Sequence, residues 1–116
     1  MQGKRLDRVN QLIKEEVSML LQRELKDPRL GFVTVTEVDT SKDLRSAKIF
    51  VSVLGDDAQW KGSMAALESA RGFVRNWLRQ HLELRVTPEL DFRPDHSLEH
   101  AARIQSLLKQ VRAPGS

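Results

Sequence analysis

The stretch Ser69-Ala70-Arg71-Gly72-Phe73 separates two helical patterns and is followed by further arginines at four-residue spacing. A glycine inside a helix costs about 1 kcal/mol relative to alanine, so a sequence that keeps one there uses the bend or the bare backbone that it allows. On the second helical pattern Arg71, Arg75 and Arg79 fall on one side, each about 6 Å further along the axis. We therefore predict a helix-break-helix hairpin with a basic surface suited to a phosphate backbone.

The segments before this break predict one helix and two strands. Residues 6–25 carry apolar side chains at helical spacing, and Asp27-Pro28 stops that helix because proline disfavours helical geometry in the residue before it. Residues 32–38 are rich in β-branched side chains, and residues 47–53 alternate between apolar side chains and others. These two runs predict an antiparallel pair of strands with one buried face.

The segments around and after the break predict further helices and a third strand. Residues 58–70 are helical, residues 89–93 form a short strand that opens at Thr87-Pro88, and Ser97 caps a final helix. The helix after the break is expected to have an apolar side made of Phe73, Val74, Trp77, His81 and Leu84. The final helix is expected to bury a stripe made of Leu98, Ala101, Ile104, Leu108 and Val111.

The composition excludes several classes of protein. The 116 residues suit one domain with its own core, and an apolar content of 40% is typical of a globular chain. The absence of cysteine excludes disulfide frameworks, thiolate zinc sites and cysteine nucleophiles. The start of the chain turns from charged to amphipathic without an uninterrupted apolar run. We therefore expect no signal peptide, no membrane span and a cytoplasmic location.

The distribution of charge is more informative than its sum. Nineteen Lys and Arg residues against sixteen Asp and Glu give a net charge of +3, which many soluble domains share. Basic residues are locally unbalanced in two places: Lys4, Arg5 and Arg8 at the start, and the arginines from Arg71 to Arg85 after the break. Acidic residues stand mainly elsewhere, so the pattern favours a polyanionic partner.

A series of motifs, in a fixed order, carries a resemblance to a known family. They are Leu25-Lys26-Asp27-Pro28-Arg29-Leu30-Gly31, Ser41-Lys42-Asp43-Leu44, Ala70-Arg71-Gly72, Leu84-Arg85-Val86-Thr87-Pro88-Glu89-Leu90 and Asp95-His96-Ser97-Leu98. Each motif is modestly specific, and all of them in this order are strongly specific. Through them the chain resembles the bacterial ribosome-binding factor A family over nearly its full length.

The resemblance implies a single α+β domain of the type II KH-like class over residues 1–112, with a flexible C-terminal end at residues 113–116. The implied order is α-β-β-α-kink-α-β-α with a mixed three-stranded sheet. Ala70-Arg71-Gly72 stands where KH domains carry the Gly-x-x-Gly loop that clamps four nucleotides. Because that loop is missing, we expect recognition of the backbone and shape of folded RNA rather than of base sequence.

The resemblance also implies a function. Members of the family bind the free small (30S) ribosomal subunit and its 16S rRNA, assist its late maturation and rRNA end processing, and act in adaptation to cold. It implies a non-catalytic, cytoplasmic protein that works alongside other maturation factors. Nothing in the sequence requires more than a monomer.

The residues expected to contact RNA form two groups. The first group surrounds the break and comprises Ser69, Ala70, Arg71, Gly72, Arg75 and Arg79; the second comprises Lys4, Arg5, Arg8, Lys42 and Arg45. Two interpretations of Gly72 stay open: it serves tight packing, or it exposes backbone N–H groups and directs the next helix N-terminus toward a phosphate. For the basic residues the plainer interpretation is a solvated surface.

Other function classes have less support. The main alternative is a protein-protein interaction module without direct RNA contact, which would use the last helix or a strand edge. His96 and His100 are four residues apart, but a third ligand is not evident, so we expect no metal and no cofactor. The sequence has no phosphate-binding loop, nucleophile elbow or spaced carboxylate pair, so neither a nuclease nor another enzyme is predicted.

Overall fold

The computed structural model describes the backbone of residues 2–112 and the side chains of residues 3–110. Its elements are α1 (Gln2–Arg23), β1 (Phe32–Thr40), β2 (Ser46–Leu54), α2 (Asp57–His81), β3 (Glu89–Pro94) and α3 (Ser97–Arg112). The α+β class expected from the sequence is confirmed. The predicted flexible end, residues 113–116, lies outside the described residues.

The strands form one mixed sheet with the order β1-β2-β3. β1 and β2 are antiparallel, with Val33 opposite Val53, and a bulge interrupts their register between Val35 and Glu37. β2 and β3 are parallel, with Ala47 opposite Leu90. A parallel pair needs a long crossover connection, which α2 supplies here. The mixed three-stranded sheet is the one that the resemblance implies.

The core lies between one face of this sheet and the helices α1 and α2. The alternation predicted for β2 is confirmed, because Ala47, Ile49, Val51 and Val53 are all buried. α1 and α2 add the fully buried side chains of Ile13, Val17, Leu20, Leu67, Val74 and Leu78. Burying each such aliphatic side chain contributes about 1.5–3 kcal/mol, so this layer is the main source of stability.

α2 is one continuous helix of 25 residues, so the expectation of two separate helices is wrong. Asp56 accepts the backbone N–H of Gln59 and the Gln59 side chain accepts that of Asp56, which fixes the start of α2 as a capping box. The helix then runs without interruption through Ala70-Arg71-Gly72 to His81. A single glycine lowers helix stability, but neighbouring turns that are packed on a core outweigh it. A bend of the continuous helix at this point stays a prediction.

The first half of α2 packs closely against the turn that ends α1. The Ser63 hydroxyl accepts the backbone N–H of Gly31 at 2.9 Å. A Cβ on Gly62 would lie 3.2 Å from the carbonyl oxygen of Arg29, closer than most real contacts allow. The Asp27 carboxylate accepts both the backbone and the guanidinium of Arg29, which holds the pKa of Asp27 below its ordinary value. The predicted helix stop at Asp27-Pro28 is thus a rigid turn on which α2 rests.

α3 is attached to the body of the molecule mainly at its start. The Thr36 hydroxyl donates to Asp95 Oδ2 at 2.6 Å, and Trp60 Nε1 donates to Glu99 Oε1 at 2.7 Å. Beyond this point Leu98, Ile104 and Leu108 are 56%, 44% and 51% exposed, and Ala101 is exposed as well. The expected burial of this stripe is therefore wrong for these residues, because α1 and α2 already cover the apolar face of the sheet. The side chain of Val111 lies outside the described residues.

Candidate nucleic-acid interface

Arg71, Arg75 and Arg79 lie on one side of α2, as their spacing predicts. They line a shallow groove of about 410 Å³ together with Gly72, Asn76 and Glu89. We call this surface the arginine groove. It joins the middle of α2 to the start of β3, so the sheet and the helix both hold its walls in place.

Among the described residues, Arg71 and Arg79 have only surface partners. Arg71 Nη2 lies 3.2 Å from Glu68 Oε1, and both side chains are about half exposed. Arg79 Nη2 donates to Asn76 Oδ1 at 2.6 Å, also at the surface. An exposed ion pair such as Arg71–Glu68 contributes at most about 1 kcal/mol, and an exposed hydrogen bond such as Arg79–Asn76 contributes a similarly small amount, so a phosphate can replace these partners at little cost. These two guanidinium groups are suited to an anionic ligand.

Arg75 has a different role from its neighbours. Its Nη2 donates to the carbonyl of Thr87 at 2.9 Å, and its Nε donates to the carbonyl of Pro88 at 3.2 Å. Glu89 Oε1 lies 3.6 Å from the same guanidinium. Arg75 therefore braces the loop between α2 and β3. It lines the groove, but its head group is largely committed to the chain itself.

Gly72 lies on the open side of α2. Apart from its two chain neighbours and the adjoining backbone of α2 itself, no described atom lies within 4 Å of the position that a Cβ would take there. The interpretation that Gly72 serves tight packing is therefore wrong. The expected helix N-terminus at Gly72 is also wrong, because α2 continues through this residue and its backbone is part of the helix. What remains is bare backbone that lets a partner approach the helix axis closely.

Two residues near Gly72, Ala70 and Ser69, make contacts within the chain, whereas Phe73 is more exposed than the sequence suggests. Ala70 packs against the core, and Ser69 Oγ accepts Arg29 Nη2 at 3.3 Å. Phe73, expected on the apolar side, is 51% exposed. Val74 and Leu78 point into the core. Phe73 precedes Val74 by one residue, which is a rotation of about 100° around the helix axis, so Phe73 lies at the edge of the buried face.

A second basic cluster lies where three chain segments meet. Arg5 of α1, Lys42 of the β1-β2 hairpin and Arg85 of the loop after α2 surround a cleft of about 280 Å³. Leu6, Leu44 and Val86 form its apolar part, and Asp43 is the acidic residue that lines it. We call this surface the basic cleft. Arg5 and Lys42 are expected RNA contacts, whereas the sequence gives no signal that Arg85 joins them.

The remaining expected contacts lie apart from both surfaces. Arg45 pairs with Asp43 at 4.0 Å, and in the part of the chain that the structure describes it lines neither the groove nor the cleft. Lys4 and Arg8 are exposed on α1, likewise outside the linings of the two surfaces as described. Their contact with RNA stays a prediction.

The histidines do not form a metal site with other residues that the structure describes. His96 Nδ1 lies 3.2 Å from Glu99 Oε2, and its ring packs on Trp60 with 4.2 Å between centroids. Over residues 2–112 no group of three or more His, Asp or Glu side chains is placed to hold a metal ion. In the same range, no helix combines the length and apolar character needed to cross a membrane.

The element order and the mixed sheet define a small α+β domain of three helices and three strands, with basic side chains on one helix face. Comparison with known families makes the assignment more specific. A family model described as "Ribosome-binding factor A" matches residues 5–108. The chain belongs to the ribosome-binding factor A family.

Relatives and solved structures agree with this assignment. The ribosome-binding factor A of Halothermothrix orenii is 48% identical over 112 residues, 97% of this chain and 92% of that protein. The protein from Brevibacillus brevis is 43% identical over 111 residues, 96% of this chain and 92% of that protein.

The crystal structure of the Thermus thermophilus protein superposes with a TM-score of 0.69 at 27% identity, covering 77% of this chain and 94% of that one. A homology model of the T. thermophilus protein, fitted into a cryo-EM map of its complex with the 30S subunit, superposes with a TM-score of 0.63 at 28% identity. That match covers 74% of this chain and 90% of the other.

Proposed function

We propose that this protein is a non-catalytic assembly factor that binds the free small ribosomal subunit by contacting its 16S rRNA. Family membership supports the partner, since the related T. thermophilus protein has been fitted into a complex with the 30S subunit. The observation that carries the mode of binding is the arginine groove, where Arg71 and Arg79 flank the bare backbone of Gly72.

The groove suits an RNA backbone for two physical reasons. A guanidinium presents paired donors that match the oxygens of a phosphate, and neutralising phosphates releases counterions. Gly72 allows a sugar-phosphate chain to come closer to α2 than any side chain would permit. Contacts of this kind recognise shape and position more than base sequence.

The protein acts, in this proposal, by population shift. A factor that binds one arrangement of the immature rRNA more tightly raises the occupancy of that arrangement in proportion to its differential affinity. Late maturation, processing of the rRNA ends and growth in the cold are then assisted by presenting the preferred arrangement to other factors and nucleases. The protein works as a cytoplasmic monomer without a cofactor.

The test is charge reversal on the exposed part of the groove. We expect Arg71→Glu with Arg79→Glu to weaken binding to purified small subunits by about 100-fold or more, because two phosphate contacts become repulsive. Thermal unfolding should change little, since both side chains are exposed. The matched control is Arg23→Glu with Lys26→Glu, which makes the same charge change at exposed positions outside the groove. Binding equal to that of the control would show that the groove is not the contact surface.

A second candidate function rests on α3. Leu98, Ile104, Leu107 and Leu108 are all about half exposed, which suits an apolar contact with a protein partner. Salt separates the two candidates: RNA contact weakens steeply as salt rises, whereas an apolar interface holds. We expect subunit binding to follow the first pattern.

A further inference from the structure

The basic cleft is formed by residues that are far apart in the sequence. Arg5, Lys42 and Arg85 come from three different segments, yet they line one cleft of about 280 Å³. All three side chains are exposed, so the cleft is lined by three cations that solvent reaches. Convergent cations around a shallow apolar surface are suited to an anion with an apolar or aromatic body attached.

The hairpin that carries Lys42 is rigid, and hydrogen bonds within it engage its acidic residue, Asp43. Asp43 Oδ1 accepts the Ser41 hydroxyl at 2.7 Å and the backbone N–H of Arg45 at 3.1 Å, and these bonds hold the pKa of Asp43 below its ordinary value. Leu44 takes a left-handed backbone conformation with φ 62° while its side chain packs against the core. Strain of this kind persists where the surroundings fix it, so Lys42 is held beside the cleft rather than on a loose loop.

The cleft and the arginine groove are joined by one short loop. Arg85 and Val86 line the cleft, Glu89 lines the groove, and Arg75 donates to the carbonyls of Thr87 and Pro88 between them. The backbone N–H of Glu89 also donates to the carbonyl of Arg45 at 2.8 Å. Arg75 is thus a positioning residue that fixes the cleft and the groove relative to each other.

We propose that the basic cleft binds a phosphate of the same RNA strand or helix that the arginine groove contacts, with the adjoining nucleotide against Leu6, Leu44 and Val86. This inference rests on the proposed function and adds a second contact point to it, with Arg85 as a ligand. Because the cleft and the groove are held at a fixed separation, both can bind phosphates only in an RNA arrangement with the matching distance between them. This gives selectivity for one RNA arrangement without base contacts.

An acidic protein surface is the competing ligand for such a cleft. RNA is favoured because the cleft continues the arginine groove through a braced loop, and because arginine with lysine around an apolar surface suits phosphate together with a base or sugar. Protein-free rRNA distinguishes the two ligands. RNA contact survives removal of the ribosomal proteins, whereas an acidic protein contact does not.

The experiment compares Arg5→Gln/Lys42→Gln/Arg85→Gln with the control Arg23→Gln/Lys26→Gln/Lys61→Gln. Both variants lose three exposed positive charges, and Arg23 lies about 27 Å from Arg5 along α1 at 1.5 Å per residue. We expect the cleft variant to bind purified small subunits roughly tenfold or more weakly than the control, with a salt dependence less steep by about two in the logarithmic slope. The same loss is expected with protein-free 16S rRNA.

Three results would overturn the inference. The cleft variant would bind subunits as the control does, its salt slope would be unchanged, or its loss would be confined to subunits and missing with protein-free rRNA. The last result would assign the cleft to a ribosomal protein. Failure of the proposed function would look different, because the Arg71/Arg79 reversal would then leave subunit binding intact. Thermal unfolding of the cleft variant and the control is measured first, and Arg85→Gln alone replaces the triple variant if that variant unfolds.

Discussion

Two glycines of α2, ten residues apart, serve opposite purposes. At Gly62 an added Cβ would lie 3.2 Å from the Arg29 carbonyl oxygen, so the glycine lets α2 pack closely on the turn after α1. At Gly72 no described atom outside its chain neighbours and the adjoining helix backbone lies within 4 Å of that position. The same residue in the same helix is thus explained by the fold in one place and not in the other.

The difference extends to the side chains around each glycine. The first half of α2 is tied to the chain itself through Ser63 and the Asp27–Arg29 turn. In the described part of the chain, Arg71 and Arg79 of the second half have only surface partners. A mid-helix glycine that packing does not require carries a stability cost of about 1 kcal/mol without an internal benefit. Under the proposed function, an RNA strand that approaches α2 at Gly72 supplies that benefit.

The largest effect on stability is expected at Arg75, which lies in the second half of α2 but, unlike Arg71 and Arg79, braces the loop after the helix. Arg75→Ala removes two charge-assisted hydrogen bonds to the loop and should lower the free energy of unfolding by about 2 kcal/mol. Arg79→Ala, which loses only a surface contact, should change it by less than about 0.5 kcal/mol. Denaturant unfolding of both variants measures the two changes in the free energy of unfolding. Equal effects would mean that Arg75 does not brace the loop.

The next effect concerns Gly62. We expect Gly62→Ala to destabilise the protein by about 1 kcal/mol or more, because the gain in helix propensity is smaller than the strain against the Arg29 carbonyl. Binding to small subunits should be unchanged once the variant is folded. A stabilised Gly62→Ala protein would show that the turn moves aside freely. Close packing would then no longer distinguish Gly62 from Gly72.

Gly72→Ala should have the opposite sign. The substitution should stabilise the protein by about 1 kcal/mol, since alanine is the better helix former and meets no described atom. Binding to small subunits should nevertheless fall severalfold, because a methyl group now separates the RNA backbone from α2. Thermal unfolding and a subunit-binding titration give the two readouts. Greater stability with unchanged affinity would mean that no partner comes close to Gly72.

The smallest effect is a pH dependence of the turn after α1, on which the first half of α2 rests. The pKa of Asp27 is lowered chiefly by the hydrogen bond from the Arg29 side chain and then by the Arg29 backbone N–H. A lowered folded-state pKa adds stability above the unfolded pKa, and this is lost as pH falls through the folded value, here below about pH 4. Asp27→Asn should flatten this part of the profile of melting temperature against pH. Parallel profiles for Asp27→Asn and the parent protein would contradict the assignment.

Prediction from the sequence succeeded where a signal is local and repeats along one element. The alternation of Ala47, Ile49, Val51 and Val53 predicted the buried face of β2, and the four-residue spacing predicted that the arginines share one side of a helix. It failed at Phe73 and along α3, where the pattern marks an amphipathic helix but does not say which surface, if any, covers it. The division of α2 into two helices at Gly72 was wrong for a related reason, since packing of neighbouring turns outweighs the propensity of one residue.

The sequence by itself determined the order of the elements apart from the continuity of α2, the inward face of β2 and the family, because these depend on spacing along the chain and on motifs in a fixed order. Only the tertiary structure decided that Arg5, Lys42 and Arg85 meet, that Arg75 serves the loop, and that Gly62 and Gly72 differ. Those facts depend on contacts between segments distant in sequence. Such contacts follow from how the helices and the sheet pack together, and periodicity within one segment carries no information about them.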